Sequence, residues 1–259
     1  LFILTTFGAI LMSADTHFSV FESKTEVAGG KLLIIGGIHG DEPGGYIAAT
    51  LFAKHYNVKS GSVITVPNLN YDSIIENKRG IYGDMNRKFK AIAPNDKDSK
   101  IVSDIKDLII KSQPDLVLNL HDGHGYYRPK RISSTLNPSA WGQAAIIDQE
   151  ILPGARYGNL SALAKGAMSR ANIALVEDVH EFNVKNTQTA NKDKDMQLSL
   201  TWFAVSNNIP ALAIETSKNI SETHVKAFYH LNALEHFMAV LGIEFERDFE
   251  LTKSGIKEV

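Results

Sequence analysis

The chain has 259 residues, enough to bury a sizeable core as one large α/β domain or as one domain and the start of another. Its 27 Lys and Arg residues nearly balance 29 Asp and Glu residues, and the formal net charge of −2 gives no electrostatic reason to expect nucleic-acid binding. Cysteine is absent, so any metal must be held by histidines and carboxylates.

The first residues, LFILTTFGAILMSA, are apolar and uncharged and end in small side chains. This composition resembles the apolar region and the cleavage end of a secretory signal whose charged start is missing. We therefore expect residues 1–14 to be the remnant of a signal peptide. The mature protein would be exported to the periplasm and would keep no membrane span after processing. The alternative is a buried first strand or helix.

Short apolar runs bounded by glycine, proline or polar residues predict strands, and apolar residues at helical spacing predict helices. Strands are expected at His17–Phe21, Lys31–Ile35, Ser62–Val66, Asp115–Leu120, near Ala174, at Pro210–Ile214 and, weakly, at Phe245–Thr252. Helices are expected at Tyr46–His55, Lys100–Lys111, Asn159–Asn172, Gln197–Asn207 and Ser221–Leu241. Residues 67–94 and 183–195 are polar and predict loops, and the first is long enough to indicate a functional role.

Strand and helix patterns alternate along the chain, which is typical of α/β domains with parallel strand pairing. No internal repeat or low-complexity tract is visible. We therefore predict an α/β fold in which a mixed, largely parallel sheet is flanked by helices.

Three of the predicted strands end in residues that bind metals or transfer protons. His39 and Glu42 follow the second predicted strand through two glycines, His121 ends the fourth, and Glu215 ends the sixth. Ligands of open α/β sheets lie beyond the carboxyl ends of such strands. Imidazole and carboxylate groups are ligands of catalytic zinc, which uses three protein ligands and keeps one position open. A His-x-x-Glu pair alone is a weak signal, because it often arises by chance.

Four segments resemble, in the same order, the motifs of the zinc metallocarboxypeptidases and their succinylglutamate desuccinylase and aspartoacylase-like relatives. They are Gly36–Glu42 (GGIHGDE), Gly83–Phe89 (GDMNRKF), Leu118–His121 (LNLH) and Ala213–Thr216 (AIET). The second has Met85 where the family has leucine, and the third has Asn119 where the family has an acid. The match extends over residues 32–217.

The resemblance implies a zinc carboxypeptidase-like fold and one zinc ion per chain, held by His39, Glu42 and His121 with water in the fourth position. It implies that Glu215 is the general base, which takes a proton from that water and later protonates the leaving amine.

The resemblance also assigns roles on the substrate side. Arg79, seven residues before Asn86, falls where the family keeps an arginine that stabilises the oxyanion. Asn86 and Arg87 would grip the terminal carboxylate of the substrate, since a guanidinium matches a carboxylate in bidentate geometry.

Within the family, the chain resembles the peptidoglycan-trimming DL-carboxypeptidases of helical bacteria, which carry smaller β-rich domains after the first one. We therefore expect a carboxypeptidase for a short acidic peptide, a peptidoglycan stem tripeptide (muropeptide) from which it releases diaminopimelate. Residues 15–243 would form the catalytic domain. Residues 244–259 would be the possible start of a further β-rich domain or a C-terminal tail.

Two other functions stay open on the sequence. A zinc-dependent N-acyl amino acid deacylase would share the motifs but should be cytoplasmic, so the cleavage state of residues 1–14 separates the two. A catalytically inactive cell-wall-binding domain would keep the fold. Glu215 beside three ligands disfavours that reading, because binding alone needs no base.

Other residues near the motifs also leave alternatives. His124 competes with His121 as a ligand, and Asp122 is either a turn residue or a support for a neighbouring ligand. The acidic group at residues 177–181 is either a solvated loop or a cation site. The basic group at residues 128–131 either meets carboxylates of an acidic substrate or is a solvated patch.

Overall fold

A computed structural model describes residues 17–259, so the expected signal-peptide remnant lies outside the described residues. The strands are β1 (Phe21–Lys24), β2 (Lys31–Ile35), β3 (Tyr56–Val58), β4 (Ser62–Val66), β5 (Leu116–Gly123), β6 (Tyr126–Tyr127), β7 (Leu136–Asn137), β8 (Ala144–Ile147), β9 (Asn183–Asn186), β10 (Ala211–Ser217) and β11 (Phe245–Arg247). The helices are α1 (Pro43–His55), α2 (Tyr71–Ile75), α3 (Ser99–Ser112), α4 (Leu160–Ala171), α5 (Leu200–Ser206), α6 (Thr223–Val240) and α7 (Lys253–Glu258).

The main sheet has seven strands in the order β1-β4-β2-β5-β10-β8-β9. Its four central strands, β4, β2, β5 and β10, run parallel to one another. Strands β1 and β8 are antiparallel to their inner neighbours, and β9 pairs in parallel with β8. The sheet is therefore mixed and largely parallel, and helices flank it, which confirms the predicted fold. No helix within residues 17–259 is long and apolar enough to cross a membrane.

The central strands form where the sequence has short aliphatic runs. Leu32–Ile35, Val63–Val66 and Leu116–Leu120 are buried along their whole length. Continuous burial on both faces is the pattern of parallel strands covered by helices. Helix α6 packs against both α1 and α4, while α5 contacts β5 and β10.

Several predicted elements differ from the structure. The region near Ala174 is a short 3₁₀ helix (Asn172–Ala174), so the strand predicted there is wrong. The strand predicted at His17–Phe21 lies further on, at Phe21–Lys24. The predicted loop at residues 183–195 begins with edge strand β9, whose sequence NVKN pairs through its backbone and needs few apolar side chains.

Strand register determines which side chains meet at the carboxyl ends of β5 and β10. Glu215 lies opposite His121, and Thr216 lies opposite Asp122. Because side chains alternate between the two faces of a strand, His121 and Glu215 share one face while Asp122 and Thr216 share the other. The second pair lies towards α6, where Lys226 Nζ is 3.4 Å from Asp122 Oδ2.

Two glycines allow the chain to turn closely at the end of β2. Gly37 has φ = +72°, a left-handed conformation that a side chain would strain. A Cβ at Gly44, in the first turn of α1, would lie 2.4 Å from Asp122 Oδ1. The backbone N–H of Gly44 instead donates to Asp122 Oδ2 at 2.9 Å. The glycines therefore let the loop that carries His39 and Glu42 lie directly against the end of β5.

The last residues pack on the same domain. Strand β11 pairs antiparallel with β3, and Ile256 of α7 is buried. The domain limits at residues 15–243 and 244–259 stay predictions.

A buried carboxyl group lies just beyond β8. The Asp148 side chain is 2% exposed and accepts hydrogen bonds from the hydroxyls of Thr189 and Thr201. Burial raises the pKa of Asp148 to about 6, because the ionised form loses its hydration, although the two hydroxyls lower it.

Asp148→Asn should change how stability depends on pH. Between about pH 4 and pH 6 the folded protein keeps a proton that the unfolded chain releases, so Asp148 lowers the free energy of unfolding as pH rises through this window. A shift from 3.8 to about 6 corresponds to about 3 kcal/mol. Urea unfolding across pH 4–8 should show the variant gaining stability relative to the wild type as pH rises. The exposed Asp72→Asn variant is the control, and a pH-independent difference for Asp148→Asn would contradict the assignment.

Candidate active site

Three side chains from two strand ends form a buried group with metal-ligand chemistry. His39, Glu42 and His121 are 2%, 3% and 3% exposed, and their ligand atoms all lie within 4.8 Å of one another. Glu42 lies between the two rings, with Oε1 at 3.0 Å from His39 Nδ1 and Oε2 at 2.8 Å from His121 Nδ1. Among the described residues this is the one group of three such side chains placed to hold a metal ion.

The hydrogen bonds of this group leave one ring nitrogen available to a metal ion. His39 Nδ1 is buried and has no aligned hydrogen-bond partner within residues 17–259, despite its closeness to Glu42. A buried ring nitrogen without a partner costs free energy unless a ligand satisfies it. Two imidazoles and one carboxylate form the three-ligand set of catalytic zinc sites. The group is therefore consistent with a zinc site.

Electrostatics favour the metal-binding protonation states of Glu42 and His121. Burial alone raises the pKa of Glu42, but His39 and His121 outweigh it and hold that pKa well below its ordinary value. Burial lowers the pKa of His121 despite the nearby Glu42 carboxylate. For His39, burial lowers the pKa, but Glu42 and Asp84 outweigh it and raise the pKa. Glu42 is thus ionised and His121 neutral, as metal coordination requires.

Asp84 orients His39 from the side away from Glu42. Its Oδ1 lies 2.8 Å from His39 Nε2 and also accepts the backbone N–H of Asn86 at 2.9 Å. A carboxylate on the outer nitrogen of a ligand imidazole fixes the ring and its tautomer. Asp84 follows Gly83 in the second motif, so this motif supports the metal group as well as the substrate side.

Arg79 links Asp84 to the ligand carboxylate. Its Nε and NH2 donate to Asp84 Oδ2 at 3.1 and 3.0 Å, and its NH1 donates to Glu42 Oε1 at 3.0 Å. The guanidinium is thereby held at the edge of the metal group, on the cavity wall. Its role towards an oxyanion stays a prediction.

Asp122 supports the metal group from the opposite face of the sheet. Its backbone N–H donates to Glu42 Oε2 at 3.2 Å, and its carboxylate accepts from the Thr216 hydroxyl at 2.6 Å and the Gly44 backbone. His230 of α6 lies 3.6 Å away. Asp122 therefore joins the segment that carries Glu42 to the strand that carries His121, which fits the support role rather than the turn role that the sequence left open.

Glu215 lies beside the metal group on the neighbouring strand and lines the same cavity. Burial raises its pKa well above the ordinary glutamate value, and the negative charges of Glu42 and Asp122 raise it further. A carboxyl group with a raised pKa can hold and release a proton more readily near neutral pH than an ordinary glutamate, which suits it to proton transfer.

The cavity has a volume of about 280 Å³ and is lined by all seven residues that the sequence singled out. Asn86 and Arg87 form part of the wall on a 3₁₀ turn (Met85–Arg87). Asn86 Oδ1 accepts the backbone N–H of Leu200 at 2.9 Å, and its amide nitrogen makes no hydrogen bond within residues 17–259. Arg87 NH1 donates to the Asn86 carbonyl at 3.0 Å. Both are placed to meet a ligand, and their roles in binding stay predictions.

Sequence reasoning missed some cavity residues and left others open. Lys218, three residues after Glu215, lies 2.6 Å from Asp41 Oδ2 and 3.5 Å from Glu42 Oε1. Its position just beyond the end of the strand that carries Glu215 was the available signal. His124 also lines the cavity, but it is exposed and stands outside the metal group of the described residues.

The acidic group at residues 177–181 does not form a metal site among the described residues. Arg128 is buried and donates to the backbone carbonyls of Tyr127, Val179 and Glu181, so it anchors the loop at residues 177–181. His180 in that loop contacts the Tyr229 hydroxyl at 3.0 Å.

Comparisons with known proteins identify the family of this chain. A family model described as "Carboxypeptidase controlling helical cell shape catalytic" matches residues 5–259. No curated protein matches significantly.

Two solved structures of one protein are similar over most of the chain. The tripeptide-bound Cell Shape Determinant Csd4 protein from Helicobacter pylori is 42% identical, with a TM-score of 0.90, over 93% of this chain and 59% of that one. The mDAP-bound form of Helicobacter pylori Csd4, described as a D,L-carboxypeptidase, is 42% identical with a TM-score of 0.88, over 92% of this chain and 58% of that one. The chain thus spans less than two thirds of their length.

A more distant structure shares the fold alone. The succinylglutamate desuccinylase/aspartoacylase from Rhodobacter sphaeroides is 20% identical with a TM-score of 0.58, over 87% of this chain and 59% of that one. The family model and the Helicobacter pylori structures confirm the resemblance drawn from the motifs, and the chain belongs to the family of carboxypeptidases that control helical cell shape.

Proposed function

We propose that this protein is a zinc-dependent D,L-carboxypeptidase that removes diaminopimelate from the end of a peptidoglycan stem tripeptide. The observation that carries the proposal is one cavity that holds the His39, Glu42 and His121 group, with Glu215 beside it and Arg87 on its wall. The similarity to a D,L-carboxypeptidase structure with mDAP and to a tripeptide-bound structure supports the substrate class.

One zinc ion per chain would be held by His39, Glu42 and His121. Bound there, zinc would act as a Lewis acid and lower the pKa of water to about 7. Asp84 would keep the His39 ring oriented towards the ion through its outer nitrogen. Glu42 is already held by contacts from Arg79 and the Asp122 backbone, so little rearrangement is needed to bind the metal.

Glu215 would take the proton from the attacking water and return it to the leaving amine. Its raised pKa suits both steps, because a carboxylate that is too acidic neither accepts nor keeps a proton at neutral pH. The residue lies on the strand next to His121, so the base and the metal group are fixed relative to each other by the sheet. Arg79 would stabilise the oxyanion that forms as water attacks.

The cations of the cavity wall would select an acidic peptide. Arg79, Arg87 and Lys218 all line the cavity, and their charges raise the local concentration of anionic substrates. Asn86 and Arg87 would bind the terminal carboxylate, the group that distinguishes a carboxypeptidase substrate from an internal peptide bond.

Acting on the proposed substrate would require the protein to lie outside the cytoplasm. Residues 1–14 have the composition of a signal-peptide remnant, which supports export to the periplasm.

The function is tested by incubating the purified chain with muropeptides that carry stems of three, four and five residues, followed by mass spectrometry. The tripeptide should lose its terminal diaminopimelate, while the longer stems stay intact. No loss from any stem would contradict the proposal and favour the deacylase or the cell-wall-binding alternative.

Glu215→Gln should keep bound zinc and lose turnover, because the amide fills the same volume but accepts no proton. The expected loss in kcat is about 10²–10⁴-fold. Zinc content is measured by metal analysis beside the tripeptide assay. Full activity in the variant would remove Glu215 from the role of base.

Asp84→Ala should weaken zinc binding by about 10–100-fold, because the His39 ring loses the carboxylate that orients it. Competition with a chelator of known affinity measures the change. Asp96→Ala is the control, since Asp96 lies in the same segment and pairs with Lys88 instead. Equal zinc affinity in the wild type and both variants would show that Asp84 does not support the metal group.

A further inference from the structure

Lys185 lies on edge strand β9, on the face of the sheet that carries the cavity. The register places it opposite Ile146 of β8, and Ile146 lies opposite Ala213 of β10, so all three share one face with Glu215. The Lys185 side chain is partly buried, although lysine is among the residues that are most often exposed. Its ammonium has no part in the chemistry proposed above.

The ammonium of Lys185 lies against the indole of Trp141. Its Nζ is 4.0 Å from the ring centroid of Trp141 and 5.2 Å from that of Tyr127. It also donates to the backbone carbonyls of Pro138 at 3.1 Å and of Ala140 at 2.8 Å, just before Trp141 in the chain. A protonated amine is attracted to an aromatic face and carries three hydrogen-bond donors. Lys185 therefore holds both the ring and the segment that carries it.

Trp141 forms part of the cavity wall. Its backbone N–H donates to the His124 carbonyl at 3.0 Å, which fixes the main chain but leaves the side-chain torsions free. The indole packs on an apolar cluster that includes Met196 and Ala213. Apolar packing is non-directional, whereas a cation favours the face of the ring. The ammonium of Lys185 is therefore the contact that sets the orientation of the indole beside the cavity.

The charge of Lys185 is the part of this contact that changes with pH. Burial lowers the pKa of its ammonium to about 8, although the carboxylates of Glu215 and Asp193 raise it. Burial raises the pKa of Tyr127, so its phenol stays protonated near pH 8. His124, in the loop after β5, is the other ionisable neighbour of Trp141. Above about pH 8 the neutral amine of Lys185 loses its attraction to the ring, so the contact weakens.

We propose that Lys185 is a positioning residue that, while protonated, holds Trp141 in the orientation that borders the substrate cavity. Neutralising the ammonium releases the indole and weakens substrate binding, while the metal group stays unchanged. Lys185 acts through the cavity wall, so the effect falls on KM rather than on kcat. Its role in the reaction rests on the proposed function, whereas its contact with Trp141 does not.

The fluorescence of Trp141 tests the contact directly. The chain has two tryptophans, so the zinc-loaded Trp202→Phe variant reports on Trp141 alone. An ammonium quenches an excited indole by proton transfer, so the emission should rise in a step centred near pH 8. Lys185→Met and Lys185→Arg in this background should both remove the step, because neither new side chain titrates between about pH 6 and pH 10. Two replacements keep the test valid if one of them does not fold.

Two further variants are the controls for the fluorescence step. Lys192→Met removes an exposed lysine from the segment after β9, and His124→Gln removes the ionisable neighbour of Trp141. Both should keep the step near pH 8. A step that survives in both Lys185 variants, or no step in the Trp202→Phe background, would overturn the inference.

Cleavage of the stem tripeptide gives a second readout. Between about pH 7 and pH 9.5 the KM of the wild type should rise by about two- to fivefold relative to that of Lys185→Arg, which keeps its charge. The kcat profiles of the two proteins should coincide, because they share every other ionisable group. Lys185→Met should show the higher KM at both pH values, whereas Lys192→Met should match the wild type.

The two ways in which this assay can fail are distinguishable. Identical KM profiles for the wild type and Lys185→Arg would remove the positioning role while leaving the proposed function intact. No cleavage of the tripeptide by the wild type would overturn the proposed function, and the role of Lys185 in the reaction with it, even where the fluorescence step is present.

Discussion

The structure depends on one buried carboxylate placed between two imidazoles. Glu42 contacts Nδ1 of His39 and Nδ1 of His121, and all three side chains are almost fully buried. Removing an ionised carboxylate from water is costly unless opposite charges and donors surround it. Arg79 and the backbone N–H of Asp122 supply two such donors. A divalent metal among the three ligands would supply the positive charge that this arrangement favours.

The fold brings the residues of this site together from distant parts of the chain. His39 and Glu42 follow β2, His121 lies in β5, and Glu215 lies in β10. These strands are parallel neighbours, so their carboxyl ends meet at the edge where ligands of α/β sheets bind. Glycines at the end of β2 and the start of α1 allow close contact with β5, and Asp122 fixes that contact with its carboxylate. The metal group and the base are therefore held by the rigid part of the molecule.

The central strands and most of the site residues were predictable from the sequence, because the site residues lie at the ends of those strands. Aliphatic runs predict β2, β4, β5 and β10, and the residues of the metal group and Glu215 come just after the runs of β2, β5 and β10. The edge strand β9 was not predictable, because its polar sequence pairs only through the backbone. Strand β8 was also missed, although AAII is a short apolar run.

Contacts between residues that are distant in the chain were harder to predict from the sequence than the motifs. The contacts of Asp84 with His39, and of Asp122 with Gly44, join residues far apart in the chain, so no spacing rule finds them. The contact of Lys185 with Trp141 also joins distant residues, and it forms only because β9 pairs with β8 at the edge of the sheet.

The central claim is that His39, Glu42 and His121 hold the metal. X-ray absorption at the zinc edge of the purified protein measures the ligands directly. The account predicts two imidazole nitrogens at about 2.0–2.1 Å, with oxygen ligands completing the shell. Three imidazoles, which would bring His124 into the site, or protein that binds no zinc would contradict it.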